Sequence, residues 1–579
     1  MKARIGQIFV FLCMLLVTGS FIDNHYYSQI FTLSVIWAIF GLSWNIVGGY
    51  AGLVSFGHAA FFGLGAFSIA IGEYYYGISP WIMLPISLLI GGSAGLLIGY
   101  PTLRLKGHYF ALAMLAYPLA LLYLFEWMGF QEITIPMRKD QPIWHMQFSN
   151  PFGYFLLSLG VLCIAMLSSL YIERSRFGLS LFSIRADVAA AEAAGINTRY
   201  WMNKAMVVSG ALAALAGGLY TVVLLVITPP SVFGLIVSSQ AIILTLFGGS
   251  GSYWGPVIGA LLIIPLTEVL NANLGSLLPG IQGVLLGAAL IAVMLFAPRG
   301  VYWWLAERLK LGVTESHAKG PEPNLNFTIG LPSLVNGTLM QVCNISRNFG
   351  GIKALDSLSF SLTNQRILGI IGPNGAGKTT LFDVLNGFTQ ADSGQILFNG
   401  INIVGCKTHQ IAQMGIARTF QIARIFSNES VYSNVLAGAW TNSSSPKDAL
   451  EKAEQAIGLV GLARRSSALG NELTNKEVRL LEIARAIASK PSLLLLDETL
   501  AGLSKNDIKA VVEVIRRLAD MGMRIIIIEH TIQAVLQLAD QLLVLDHGRL
   551  LAIGETKDVI ANPLVIEAYL GKKWITKNA

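Results

Sequence analysis

Long apolar runs separated by short polar breaks fill the chain up to Arg299, and beyond it short apolar runs alternate with stretches of helical pattern. A bilayer core about 30 Å thick asks roughly 17 to 25 apolar residues of a spanning helix. Such runs occupy 5–21, 28–47, 51–71, 81–100, 109–130, 152–172, 203–227, 254–272 and 281–297, with a shorter one at 236–248. The first half is therefore expected to be an all-α polytopic membrane domain of about ten spans. Lys2 and Arg4 precede the first run as in a signal peptide. No small-x-small cleavage site follows and further spans do, so the run is expected to stay as a helix.

Basic residues fix the expected orientation, because cytoplasmic loops collect Lys and Arg. With the N-terminus inside, parity places 101–108, 173–199 and the chain after 298 in the cytoplasm, and these carry Arg104, Lys106, Arg174, Arg176, Arg185, Arg199 and Arg299. The outside loop at 73–79 has no Lys or Arg, while Arg138 and Lys139 in the outside loop 131–151 run against the rule. In-membrane Gly and Ser are read as close helix packing, and no residue is assigned to substrate.

Composition agrees with this division. Of 579 residues, 54% are hydrophobic and 13% charged, and a mean hydropathy of +0.60 is too apolar for a wholly soluble protein. The net charge of +7 comes without a run of five basic residues, so membrane topology explains it and nucleic acid is not an expected partner. Cys13, Cys163, Cys343 and Cys406 are far apart, without metal-ligand spacing. The expected domains are a membrane domain at 1–306, a Gly-, Pro- and polar-rich linker at 307–337, a soluble domain at 338–573 and a tail at 574–579.

In the second half, β-type runs at 366–371, 493–496 and 524–528 alternate with helical runs at 379–385 and 508–521, the pattern of a parallel α/β sheet. Gly372-Pro-Asn-Gly-Ala-Gly-Lys378-Thr379 lies between a strand and a helix, as a P-loop must. Its backbone N–H groups can wrap phosphates, Lys378 can reach the β- and γ-phosphates, and the Thr379 hydroxyl suits Mg²⁺. ATP and Mg²⁺ are thus the expected cofactors, with Gly372, Asn374, Gly375, Gly377, Lys378, Thr379 and Thr380 around the nucleotide. Leu493-Leu-Leu-Leu-Asp497-Glu498 ends an apolar strand in two acids, at the sheet edge where α/β proteins bind ligands. Asp497 is expected to hold the metal through water, and Glu498 to act as general base for the attacking water.

At this point the second half resembles the ABC ATPases, and among them the ATP-binding subunits of branched-chain amino-acid importers, over about 338–573. The fold implied is an α/β P-loop ATPase with a helical subdomain. The resemblance implies that Phe349, in Asn348-Phe-Gly-Gly351, stacks on adenine. It implies that Gln421, in Ala417-Arg-Thr-Phe-Gln421, contacts metal and water and relays to the permease, and that His530 touches the γ-phosphate. The first half resembles the permeases of the same importers in Ala51-Gly-Leu-Val-Ser-Phe-Gly-His58, Pro101-Thr-Leu-Arg-Leu-Lys-Gly-His-Tyr-Phe110, Gly249-Ser-Gly-Ser-Tyr-Trp-Gly-Pro256 and Pro298-Arg-Gly300. The stretch 184–196, helix-forming and ended by Gly195, contains Glu192-Ala-Ala-Gly195, which is similar to the coupling-loop motif that docks on the ATPase.

One motif departs from the family. Where a Leu-Ser-Gly-Gly-Gln type signature is expected, the chain has Leu473-Thr474-Asn475-Lys476-Glu477, with Asn475 and Lys476 at the glycine-like positions, and Thr499 replaces the usual proline after Glu498. The resemblance implies an importer subunit in the bacterial inner (plasma) membrane with a cytoplasmic ATPase. Its implied partners are a second permease and ATPase, or a second copy, and an external solute-binding protein, with lipid around the spans. Branched-chain amino acids are the modal substrate. Two alternatives stay open: an exporter or flippase half, suggested by the fused order, and a nucleotide-sensing regulator, suggested by Asn475 and Lys476.

Overall fold

The computed structural model describes residues 2–105, 107–138, 140–274, 281–308, 338–363, 365–529 and 532–570. These fall into two compact units, Met1–Arg185 with Arg199–Thr314, and Ala186–Thr198 with Glu315–Ala579.

The first unit is helical. Helices cover Lys2–Ser20, His25–Asn45, His58–Tyr76, Pro80–Thr102, His108–Trp127, Pro151–Arg174, Thr198–Leu224, Leu235–Gly248, Trp254–Leu274 and Ile281–Phe296. Among the described residues, 8 helices are long and apolar enough to cross a membrane, counting Pro229–Gly248 as one. His58–Tyr76 and Ile281–Phe296 stand at the two remaining expected positions. The run at 51–71 does not start as a helix. The backbone turns at Gly52, at φ +73°, and the helix begins only at His58.

Contacts between loops support the parity. Ile133 and Thr134 pair with Ile227 and Val226, which joins the loops expected outside. In the same layer Trp81 Nε1 donates to the Ile143 carbonyl at 3.0 Å, and His145 meets Glu73 at 3.0 Å. At the opposite end Asn45 donates to the Ser252 carbonyl at 3.1 Å, Arg185 donates to the Gly49 carbonyl at 2.6 Å, and Arg4 meets Glu173 at 2.9 Å. Every one of these groups lies where parity puts the cytoplasmic side.

Small residues let the helices close on one another, the usual device where lipid removes the hydrophobic drive between helices. A Cβ on Gly217 would run into the carbonyl oxygen of Phe62, and one on Gly65 into that of Ala214, so His58–Tyr76 and Thr198–Leu224 touch backbone to backbone.

The second unit holds a six-stranded sheet in the order Arg549–Glu555, Gln541–Asp546, Ile367–Ile371, Arg524–Ile528, Leu493–Asp497, Ile416–Arg418. All neighbours are parallel except the first pair. Ile367–Ile371 and Leu493–Asp497 are buried along their whole length, which is why they read as unbroken apolar runs and not as alternating ones. A four-stranded antiparallel sheet runs Ile352–Leu362, Met340–Phe349, Ser393–Phe398, Ile401–Asn402. Val431–Ala439, Pro446–Leu459 and Asn475–Ile487 pack together as the helical subdomain.

The expected helix over 184–196 is two helices. Asp187, extended at φ −161°, ends the Arg176–Ala186 helix and caps Val188–Ala193 by accepting from the Ala190 N–H at 2.8 Å.

From the packing, Gly217→Leu should lower the stability of the membrane unit by about 1–3 kcal/mol through overpacking. Gly160→Leu, whose Cβ would meet nothing within 4 Å, should leave it unchanged; thermal unfolding of the detergent-solubilised chain compares the two.

Candidate functional site

The carboxyl edge of the parallel sheet gathers the site. Strand Ile367–Ile371 runs into the glycine loop, and the helix Lys378–Leu385 follows with Gly377 at φ +97° as an N-cap that offers no side-chain acceptor. The orphan N–H groups of a first helical turn are thus left to a ligand. A Cβ on Gly372 would strike the Leu545 carbonyl, and one on Gly377 that of Ala354, so both glycines are required by the close approach of backbone. Lys378 donates to the carbonyls of Gly372 and Pro373 at 2.7 and 3.0 Å. Burial pushes its ammonium pKa down, while Glu498 and Asp497 oppose that shift. Asn374, Gly375 and Thr379 are exposed and Thr380 is half-buried.

Register places Asp497 beside Ile528, one strand away from the P-loop strand. The Asp497 side chain is buried, with Oδ2 accepting from Arg418 Nη2 at 2.9 Å and Oδ1 without a partner among the described residues. Burial pushes its pKa up and the Arg418 charge resists. An orphaned carboxylate oxygen at the edge of the phosphate loop is the donor type that water-bridged Mg²⁺ uses, so the residues fit that ion.

Glu498 stands at φ +46°, a left-handed conformation uncommon for a side chain of its kind. Its N–H donates to the Ile528 carbonyl at 2.9 Å, and its Oε2 accepts from Gln421 Nε2 at 3.0 Å. Thr499 is fully buried and its hydroxyl meets that of Thr419 at 3.1 Å, while Thr419 Oγ1 also accepts from the Asp497 N–H at 3.2 Å. The threonine in place of proline therefore ties the acid pair to the segment that leads into Gln421.

Phe349 ends a strand at the Gly350-Gly351 turn, paired with Ile352. It is 45% exposed and the Arg347 guanidinium lies 4.6 Å from its ring centroid. An aromatic left that open is not core. Asp392 fixes the turn by accepting from Arg347 at 2.5 Å and from the Asn348 N–H at 2.7 Å. His530 lies outside the described residues.

Leu473–Glu477 forms a helix start. Thr474 is the N-cap of Asn475–Ile487, in a reciprocal capping box with Glu477. Asn475 and Lys476 are the first two residues of that helix, and Lys476 Nζ lies 3.5 Å from Asp507.

Sequence reasoning passed over a clamp on this same helix. Arg479, Glu482 and Arg485 recur every three residues on one face. Arg479 donates to the carbonyls of Phe420 and Gln421 at 2.9 and 2.8 Å. Glu482 accepts the N–H groups of Phe420 and Arg424 at 3.0 and 3.2 Å, and Arg485 donates to the Arg424 carbonyl at 2.6 Å. Burial raises the Glu482 pKa, and Arg485 is the foremost of the groups that oppose it. The signal was available in Arg479-Leu-Leu-Glu-Ile-Ala-Arg485, where charged residues recur on the spacing of a single helical face.

The segment 186–198 packs on residues of the same unit. Arg424 Nη1 donates to Asp187 at 3.1 Å, Gln413 Nε2 donates to the Gly195 carbonyl at 3.1 Å, and the Thr441 hydroxyl donates to the Ala194 carbonyl. Gly195 adopts φ +83°, and a Cβ there would collide with the Thr441 side chain. Glu192 accepts from Thr198 at 2.8 Å.

Residues 26–294 match the permease component of the branched-chain amino acid transport system, and 355–501 match the ABC transporter family. The chain is 32% identical to a probable branched-chain amino acid transport ATP-binding protein LivG of Archaeoglobus fulgidus, over 40% of this chain and 95% of that protein. To the high-affinity branched-chain amino acid transport ATP-binding protein LivG of Escherichia coli it is 34% identical, over 40% of this chain and 98% of that protein. A nucleotide-free ATP-binding cassette of an ABC transporter aligns on 41% of this chain and 100% of its own, at 30% identity and a TM-score of 0.38. The chain belongs to the ABC transporters, joining in one polypeptide a permease domain of the branched-chain amino acid transport type to an ABC ATPase domain.

Proposed function

We propose that this chain is the permease and ATPase half of an importer for branched-chain amino acids in the bacterial inner membrane, fed by an external solute-binding protein. It is a membrane protein with a cytoplasmic ATPase domain that couples ATP hydrolysis to transport. ABC ATPase domains work as dimers alongside permease components, and this chain supplies one of each. The observation that supports the reading is the hold of Arg424 on Asp187 in segment 186–198, since the helix Asn475–Ile487 grips the Arg424 backbone through Glu482 and Arg485 and the Gln421 carbonyl through Arg479.

In the mechanism proposed, the phosphates settle on the glycine loop and Lys378 exchanges the carbonyls of Gly372 and Pro373 for phosphate oxygens. Phe349 receives adenine. Mg²⁺, held by Thr379 and Gln421 and through water by Asp497, would neutralise charge on the β- and γ-phosphates. Glu498 accepts a proton from the water that attacks the γ-phosphate, with Gln421 fixing the carboxylate. His530 is assigned to the γ-phosphate by resemblance alone. Glu192 and Gly195 shape the coupling segment.

Lys378→Ala should weaken ATP binding by roughly 10- to 100-fold, the loss of one charge-assisted contact. Glu498→Gln should keep binding and lower turnover by about 10²- to 10⁴-fold. Binding and single-turnover assays on the complex, with the partner's site disabled, check both.

The Leu473–Glu477 segment leads to asymmetry. In an ABC dimer each ATP lies between one subunit's P-loop and the other's signature, so Asn475 and Lys476 act on the partner's nucleotide. If the partner carries an ordinary signature, this chain's site turns over and the partner's is slow. Glu498→Gln should then abolish most turnover, and the matching partner change should matter little. Equal losses would show that the segment is a working signature, with Lys476 released from Asp507 to meet the phosphate.

The substrate is tested in liposomes holding the complex and its binding protein, where leucine, isoleucine and valine should stimulate ATPase activity and accumulate. Stimulation by another small solute and not by these would overturn that assignment.

A further inference from the structure

Arg418 plays no part in the mechanism above, yet it is the residue closest tied to the metal acid. It closes strand Ile416–Arg418 next to Leu493–Asp497, in register with Leu495. Its side chain is 3% exposed and forks between two carboxylates, Asp497 at 2.9 Å and Asp383 of the P-loop helix at 2.6 Å. The guanidinium lies 5.5 Å from the Phe420 ring centroid and 5.7 Å from those of Phe382 and Phe388.

A buried arginine between two aspartates is often only a fold element, since a buried charge must be paired. The geometry here says more. Arg418 engages only Oδ2 of Asp497 and leaves Oδ1 buried without a partner among the described residues. The Thr419 hydroxyl takes the Asp497 N–H, so backbone and side chain of the acid are both held from one edge strand. Asp383 sits on the helix that Lys378 opens, so the fork also sets the distance between the acid's strand and the phosphate loop. A guanidinium can bridge two carboxylates in this way, and a lysine ammonium, a point charge without the planar fork, cannot reproduce it.

We propose that Arg418 is a positioning residue for Asp497, holding one carboxylate oxygen so that the other faces the metal and its water. Partners of metal-binding carboxylates typically change metal affinity by about 10- to 100-fold when altered. The inference rests on the assignment of Asp497 as the metal acid, and the test separates the two.

The full chain with its partners is titrated with Mg²⁺ while nucleotide binding is followed, and separately with nucleotide in chelator. Arg418→Lys should raise the Mg²⁺ concentration for half-maximal binding by roughly 10- to 100-fold, with affinity in chelator unchanged. Arg418→Met should do so at least as strongly, and Asp383→Asn, which leaves the bond to Asp497, should do so by less. An unchanged Mg²⁺ dependence in Arg418→Lys, beside a lost dependence in Asp497→Asn, overturns the proposal and leaves Asp497 in place. An unchanged dependence in Asp497→Asn overturns the assignment of the acid itself. Loss of binding in chelator in both Arg418 variants makes the arginine a fold element and also refutes the proposal.

Discussion

The carboxylate of Asp187 and the carbonyls of Ala194 and Gly195 are captured by Arg424, Thr441 and Gln413, and the account of coupling depends on that capture. It makes residues 186–198, which interrupt the permease sequence, part of the ATPase unit. From Arg424 the contacts continue without a gap. Arg485 and Glu482 hold the Arg424 backbone, Arg479 and Glu482 hold Phe420 and Gln421, and Gln421 meets Glu498. Contiguity alone does not establish coupling, which needs an element that both ends bias. In the coupling proposed, that element is the 420–424 segment, gripped on one side by the helix that Thr474 caps and on the other by segment 186–198.

The same clamp explains how the unit tolerates its charges. Glu482 and Asp497 are at most 1% exposed, and burying ions costs several kcal/mol each unless hydrogen bonds offset it. Arg479, Arg485 and two N–H groups surround Glu482, and Arg418 pairs with Asp497. Among the described residues Asp497 keeps Oδ1 without a hydrogen-bond partner, as Glu482 keeps Oε2; the Asp497 oxygen lies at the sheet edge where the proposed metal would supply an interaction.

Legibility followed the range of the interactions involved. Spans were readable because a bilayer asks for apolar residues on their outer faces too, strands because burial on both faces leaves continuous apolar runs, and the P-loop because close backbone approach admits only glycine at Gly372 and Gly377. The start of the third span was not readable, since the turn at Gly52 sits inside an apolar run whose composition does not change. The break at Asp187 was hidden in a run of alanines, although an aspartate before such a run is an N-cap signal. The Arg418 fork and the Arg479, Glu482, Arg485 clamp join residues tens of positions apart; helical spacing marks the three clamp residues as one face, but no single-sequence pattern names the partners of either feature. Thr499 read as a departure from the family and proves to be half of a buried hydroxyl pair.

The most direct test of coupling is the number of solute molecules moved per ATP hydrolysed when the charges of Asp187 and Arg424 are exchanged. The pair is partly exposed, and such pairs contribute about 0–1 kcal/mol to stability; Asp187→Arg also removes the N-cap of Val188–Ala193, which Arg424→Asp does not restore, so recovery on adding the second change reads the charge pair alone. Asp187→Arg should lower the ratio several-fold while ATPase activity persists, and adding Arg424→Asp should restore most of it. An unchanged ratio in Asp187→Arg would contradict the account.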